Sequence, residues 1–265
     1  MNHPLHLAEE QRQAHPLTKR LPLIEMFGPT IQGEGAVIGQ QTYFIRLGAC
    51  DYRCKMCDSM HAVDPDEIHK NATWLTQPEI LDKFQRYQIP GSTPWITLSG
   101  GNPAVHNLEW LVINLKRSGH RIAVETQGSM NPEWLADCDV VTISPKGPGM
   151  GEKFEQDAFE DAMFDLWVRS KHPGLNIKVV LFSDEDIEFA VRIAALLSDF
   201  NFPADRIYLS QGNPFPPGKE PQSHRDTLIR EYVAMFHKIK KNFVLSRCKF
   251  LPQLHVWIYS NAKGV

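Results

Sequence analysis

Three of the five cysteines in this 265-residue chain fall in one short stretch, GACDYRCKMCDSMHA. Cys50, Cys54 and Cys57 follow the spacing C-x3-C-x2-C, while Cys138 and Cys248 stand alone. A structural zinc site wants four closed ligands, commonly as two tight pairs. A cubane iron–sulfur cluster has four irons and normally four cysteines, so three would leave one iron open to a small ligand. The spacing fits that open cluster. It also fits zinc completed by a distant Cys or a histidine such as His61, and it fits ordinary buried thiols.

Composition narrows the setting. Hydrophobic content of 42% and charged content of 22% suit a globular chain with a sizeable core. A net charge of -3 and a pI near 6.4 give no basic field to recruit nucleic acid. No apolar run approaches the ~18 residues of a membrane span, and the polar N-terminus lacks the apolar core of a signal peptide. The reading is cytoplasmic, where clustered cysteines bind metal or do redox chemistry more often than they form disulfides.

The elements that must position these residues follow from periodicity. Apolar β-rich runs at Tyr43–Leu47, Trp95–Leu98, Arg121–Glu125, Val140–Ile143, Asn176–Phe182 and Arg206–Ser210 alternate with helical patterns. Thr76 and Glu79 form a capping box opening a helix, and Ser183 caps another. Six mostly parallel strands imply an α/β fold, an open partial (β/α)6 barrel with one degenerate crossover between Glu125 and Val140. Residues 1–21 read as a polar arm, 22–265 as a single domain, and Val63–Ala72 as an inserted loop. Parallel sheets place ligands at the carboxyl ends of their strands. Cys50, Ser99-Gly100-Gly101, Glu125, Ser144-Pro145-Lys146 and Gln211 all fall there. Alternation in YFIRL puts Phe44 and Arg46 on one face, and an arginine in a core strand needs an anionic partner.

The cysteine stretch resembles the signature of the radical S-adenosylmethionine (SAM) superfamily, with Met56, a mild departure, where an aromatic or bulky residue is usual. SGGNP resembles its glycine-rich motif after the second strand, with Asn102 where Glu is usual. EMFGPTIQGEGAVIGQQTYFIRLGACDYRCKMCDS, Glu25–Ser59, is similar to the opening block of the 7-carboxy-7-deazaguanine synthase family, and the likeness continues through LSGGNPA, VETQGS, ISPK and LPQLH. The resemblance implies a 4Fe–4S cluster on Cys50, Cys54 and Cys57. It implies SAM beside Met56, Cys57, Asp58, Gly101, Ser144, Pro145, Lys146 and Gln211, and Mg2+ on Ser59. A pterin would meet Ile31, Gln32, Gly33, Ser99, Glu125 and His255, with Glu34 a lesser candidate and Arg46 reading its carboxylate. The implied reaction contracts 6-carboxy-5,6,7,8-tetrahydropterin to 7-carboxy-7-deazaguanine with loss of ammonia. A flavodoxin-type electron donor and a homodimer are implied as well. Two alternatives stay open: a radical SAM activase acting on a partner protein, and a zinc-stabilised interaction module.

Overall fold

The computed structural model describes residues 17–92, 94–215, 219–262 and 264. Its centre is a nine-stranded sheet. The strands are β1 (Leu21–Ile31), β2 (Gln41–Leu47), β3 (Thr73–Leu75), β4 (Trp95–Gly100), β5 (Arg121–Thr126), β6 (Val140–Ile143), β7 (Leu175–Leu181), β8 (Ile207–Gln211) and β9 (Lys249–Leu251). They lie in the order β3-β1-β2-β4-β5-β6-β7-β8-β9. From β2 through β9 every neighbouring pair is parallel, whereas β1 runs antiparallel to both β2 and β3. The two ends of the sheet do not pair, so the barrel is open. All six strands expected from the sequence are present, within a residue or two of their expected limits, and β1, β3 and β9 are additional.

β1 hides from periodicity because Gly28 and Pro29 interrupt it. The register shifts between Phe27 and Thr30 there. Gly28 has φ +122, and a Cβ would stand 2.7 Å from the Thr42 carbonyl oxygen, so only glycine fits this close approach of strands.

Helices connect the strands: α1 (Pro65–Asn71), α2 (Gln77–Tyr87), α3 (Glu109–Arg117), α4 (Gln156–Met163), α5 (Asp184–Asp199), α6 (His224–Ile239) and α7 (Leu254–Tyr259). The stretch Val63–Ala72, expected to be a loop, is mostly α1. Asp64 Oδ1 accepts from the backbone N–H groups of Asp66 and Glu67, Pro65 occupies the first turn, and acidic residues favour that end. With Ile68 as its one buried residue, seven residues are too few for a periodic signal. The capping box of Thr76 and Glu79 opens α2 as expected. The short crossover from β5 to β6 holds only a 3-10 turn, Glu133–Asp137. Of the polar arm expected at 1–21, residues 1–16 lie outside the described residues, and Leu21 is already the buried start of β1.

Alternation divides the sheet between core and cavity. Tyr43, Ile45, Leu47, Ile96, Leu98, Ile122, Val124, Ile177, Val179 and Leu181 are buried in one cluster with Ile80 and Phe84 of α2, Leu111 and Leu115 of α3, and Ile193 and Leu197 of α5. Each such side chain contributes about 1.5–3 kcal/mol by burial, and Phe84→Ala would cost about 3–5 kcal/mol. The intervening residues, among them Phe44, Arg46, Thr97, Ser99, Glu125 and Lys178, line a cavity of about 340 Å³. No helix among the described residues is long and apolar enough to cross a membrane.

Candidate active site

The cavity has a thiol end and an acidic wall. Cys50, Cys54 and Cys57 line the first, and all three are free thiols. Backbone bonds hold their loop. Gly101 N–H donates to Leu47 O, Asn102 N–H to Ala49 O, and Lys55 N–H to Met150 O. A Cβ on Gly100 would collide with the Leu47 carbonyl, and one on Gly101 with that of Ala49. The double glycine is therefore what lets the loop after β4 sit against the cysteine loop. Asn102, at the usual Glu position, donates to Asp51 Oδ1 at 2.9 Å, as does Gln127 at 2.6 Å.

Burial raises all three thiols, Cys54 to about 12 and Cys57 to about 11, and the nearby Lys146 ammonium only partly offsets it. These sulfurs become thiolates when a positive centre binds them. The Sγ of Cys50 already accepts from Tyr52 N–H at 3.4 Å and Gln127 Nε2 at 3.5 Å. Three thiols on one loop match the donor set of a 4Fe–4S cluster with one iron left open, since a cubane spreads its thiolates over separate irons.

Arg46 lies between the two ends. Its Nε donates to Glu25 Oε1 at 2.6 Å and its Nη1 to Ser59 Oγ at 2.9 Å. Ser59 donates in turn to Asp58 Oδ1 at 2.9 Å. Although burial would raise the Glu25 carboxyl, His61 and Arg46 outweigh it and hold it below its usual range. The anion expected opposite Arg46 is thus present within the chain.

Lys178 of β7 dominates the acidic wall. Its Nζ stands 2.8 Å from Glu34 Oε2 and 2.5 Å from Glu125 Oε1. Burial opposes the charge on both Glu34 and Lys178. The attraction of Lys178 and His255 nevertheless holds Glu34 at about 2, and the two carboxylates keep Lys178 above its usual range. Gln253 Nε2 donates to Glu34 Oε1 at 2.7 Å. Leu254 N–H donates to Gly33 O, and a Cβ on Gly33 would overlap the His255 ring. The loop after β1 and the C-terminal segment thus close against each other.

Ile31, Gln32, Gly33, Arg46, Ser99, Glu125 and His255 all line the cavity, as do Met56, Asp58, Ser59, Gly101 and Lys146. Ser144, Pro145 and Gln211 are buried behind its wall. The Ser144 hydroxyl accepts from Lys146 Nζ at 3.1 Å, and the Gln211 amide donates to Leu228 O at 2.8 Å. Lys178 and Gln253 escaped the sequence reading. Alternation in NIKVVLF carried the signal for Lys178, a charge in a core strand like Arg46; Gln253 stands inside LPQLH, the stretch quoted for the family likeness.

A model of the radical SAM superfamily matches residues 44–148, which hold the cysteine loop, the double glycine and Lys146. A 7-carboxy-7-deazaguanine synthase from Bacillus subtilis (strain 168) is 36% identical over 94% of this chain and 100% of its own. One from Bacillus cereus is 36% identical over 93% of this chain and 99% of its own. The crystal structure of QueE from Escherichia coli superposes with a TM-score of 0.60 at 23% identity, covering 92% of this chain and 100% of that one, which supports the open-barrel fold. With a three-thiol loop braced by a double glycine, and likeness along nearly its whole length, the chain belongs to the 7-carboxy-7-deazaguanine synthase family of radical SAM enzymes.

Proposed function

We propose that the chain contracts 6-carboxy-5,6,7,8-tetrahydropterin to 7-carboxy-7-deazaguanine with loss of ammonia, using a 4Fe–4S cluster, SAM and Mg2+. The observation that carries this reading is one cavity with three free thiols at one end and a carboxylate wall at the other. When bound, the cluster supplies the electron that cleaves the SAM sulfonium, giving a radical able to take hydrogen from the pterin C6.

The protein's part is position and dryness. Cys50, Cys54 and Cys57 hold the cluster, and Gly101 and Lys146 line the adjoining space for SAM. Arg46 offers a planar guanidinium to the substrate carboxylate. Ser59, bonded to Arg46, offers one oxygen to Mg2+, which prefers oxygen ligands and keeps several waters. Glu34 and Glu125 accept from the amino-bearing edge of the pterin, and Gln32, Ser99 and His255 flank it. A flavodoxin-type donor and a homodimer belong to the same reading.

Anaerobic turnover tests it directly. The reconstituted brown protein, given SAM, dithionite, Mg2+ and carboxytetrahydropterin, is expected to yield 7-carboxy-7-deazaguanine by mass spectrometry. A cluster-loaded, SAM-binding protein that leaves this pterin unchanged would refute the assignment.

A further inference from the structure

The roles above use Glu34 and Glu125 but not the residue that joins them. Lys178 sits mid-strand in β7, its side chain 3% exposed, in contact with both carboxylates. They arrive from distant segments, Glu34 from the loop after β1 and Glu125 from the end of β5, with β6 between β5 and β7. A single carboxylate would neutralise a buried lysine. A second one gives the wall acceptor capacity to spare, because each carboxylate offers about four lone-pair sites. The far oxygen of Glu34 is held by Gln253, whose own Oε1 is buried with no partner among the described residues. Acceptors outnumber donors across this wall.

We infer that Lys178 is a positioning residue that fixes Glu34 and Glu125 as a spaced pair of ionised acceptors, selecting ligands with adjacent N–H donors such as the 2-amino and N3–H edge of a pterin. This rests on the pterin reading above and deepens it. Without the ammonium, Glu34 and Glu125 lose the one cation that both contact and repel each other. Their spacing is then no longer held, and edge selectivity falls. A lysine that merely neutralised buried charge would affect stability without changing which ligand edge is preferred.

The test compares anaerobic equilibrium binding of 6-carboxypterin with that of 6-carboxylumazine, which carries oxygen in place of the 2-amino group. The protein is cluster-loaded and SAM-bound. Wild type is expected to favour carboxypterin by about tenfold or more, since the lumazine keeps N3–H but turns an acceptor oxygen to the wall where the pterin offers its 2-amino donor. Lys178→Met should lose that preference, and Lys178→Arg, which keeps the charge, should retain it. If Lys178→Met fails to fold, Lys178→Gln, which keeps N–H donors without the charge, takes its place and should show the same loss. A wild-type ratio in either uncharged variant overturns the inference. Equal binding of both ligands by wild type overturns it too, while leaving the pterin reading to stand on turnover. Absence of both binding and turnover overturns both.

Discussion

At the thiol end of the cavity, three sulfurs share one loop and none has an ion-pair partner among the described residues; at the acidic wall, side chains 144 and 219 positions apart hold one another directly. Backbone bonds from the loop after β4 position the thiols, so the sulfurs themselves are not the fastening. At the wall the functional groups are themselves the fastening, with Lys178 between two carboxylates. In the proposed reading the first region is completed by a guest, whereas the ion pairs of the second are already made within the chain. Damage should therefore read out differently: lost cofactor at one end, altered stability and ligand choice at the other.

The sharpest way to break this contrast is at the thiols. Cys50→Ala, Cys54→Ala and Cys57→Ala are each expected to lose most iron and all turnover while the chain stays folded. Cys138→Ala and Cys248→Ala should keep their iron, because Cys138 is buried in the core and Cys248 packs against it. Iron per chain and circular dichroism decide the matter; equal iron loss in all five would end the three-ligand assignment.

Arg46 probes the junction of the two regions. Losing one member of a charge-assisted pair costs on the order of 2–5 kcal/mol, so Arg46→Ala should weaken substrate binding roughly a hundredfold. Arg46→Lys keeps the charge but loses the fork and should fall between. SAM binding and the cluster spectrum should hold in both. A variant that still prefers the carboxylated pterin over tetrahydropterin as strongly as wild type would leave Arg46 as the partner of Glu25 alone.

Acid titration addresses the wall. The Glu34 carboxyl is lowered from 4.5 to about 2, so its contribution to stability is present above pH 4.5 and is lost as pH falls toward 2. Urea unfolding of the cluster-free chain should show Glu34→Gln less stable at neutral pH and closing the gap with wild type through that window. Parallel curves for the two proteins would show that the wall does not stabilise the fold. Lys178 works in the opposite direction. Its raised value means its contribution is present below about pH 10.5 and is lost as pH rises beyond.

Ser59→Ala should show the smallest effect. It removes one hydroxyl and one bond from Arg46, worth about tenfold in turnover at the energy of a hydrogen bond to a charged group. Cluster and SAM binding should persist while the Mg2+ response weakens. An unchanged rate and Mg2+ response would make Ser59 a turn residue.

The sequence by itself determined what short spacing can encode. The cysteine triad, the double glycine after β4 and the capping box of α2 each lie within a few residues, where backbone geometry fixes the relation of side chains. Alternation in YFIRL likewise set Arg46 on the face opposite Tyr43, Ile45 and Leu47, and the cavity lies on that face. Only the tertiary structure decided who answers a charge. Glu25 reaches Arg46 through β1, a strand concealed by its Gly28–Pro29 interruption. Lys178 meets Glu34 and Glu125, and Gln253 meets Glu34, through a sheet order and a chain closure that no local pattern records. The physical reason is range. Propensity and periodicity act over a few residues, whereas the electrostatic balance of a buried group depends on every segment the fold brings to it.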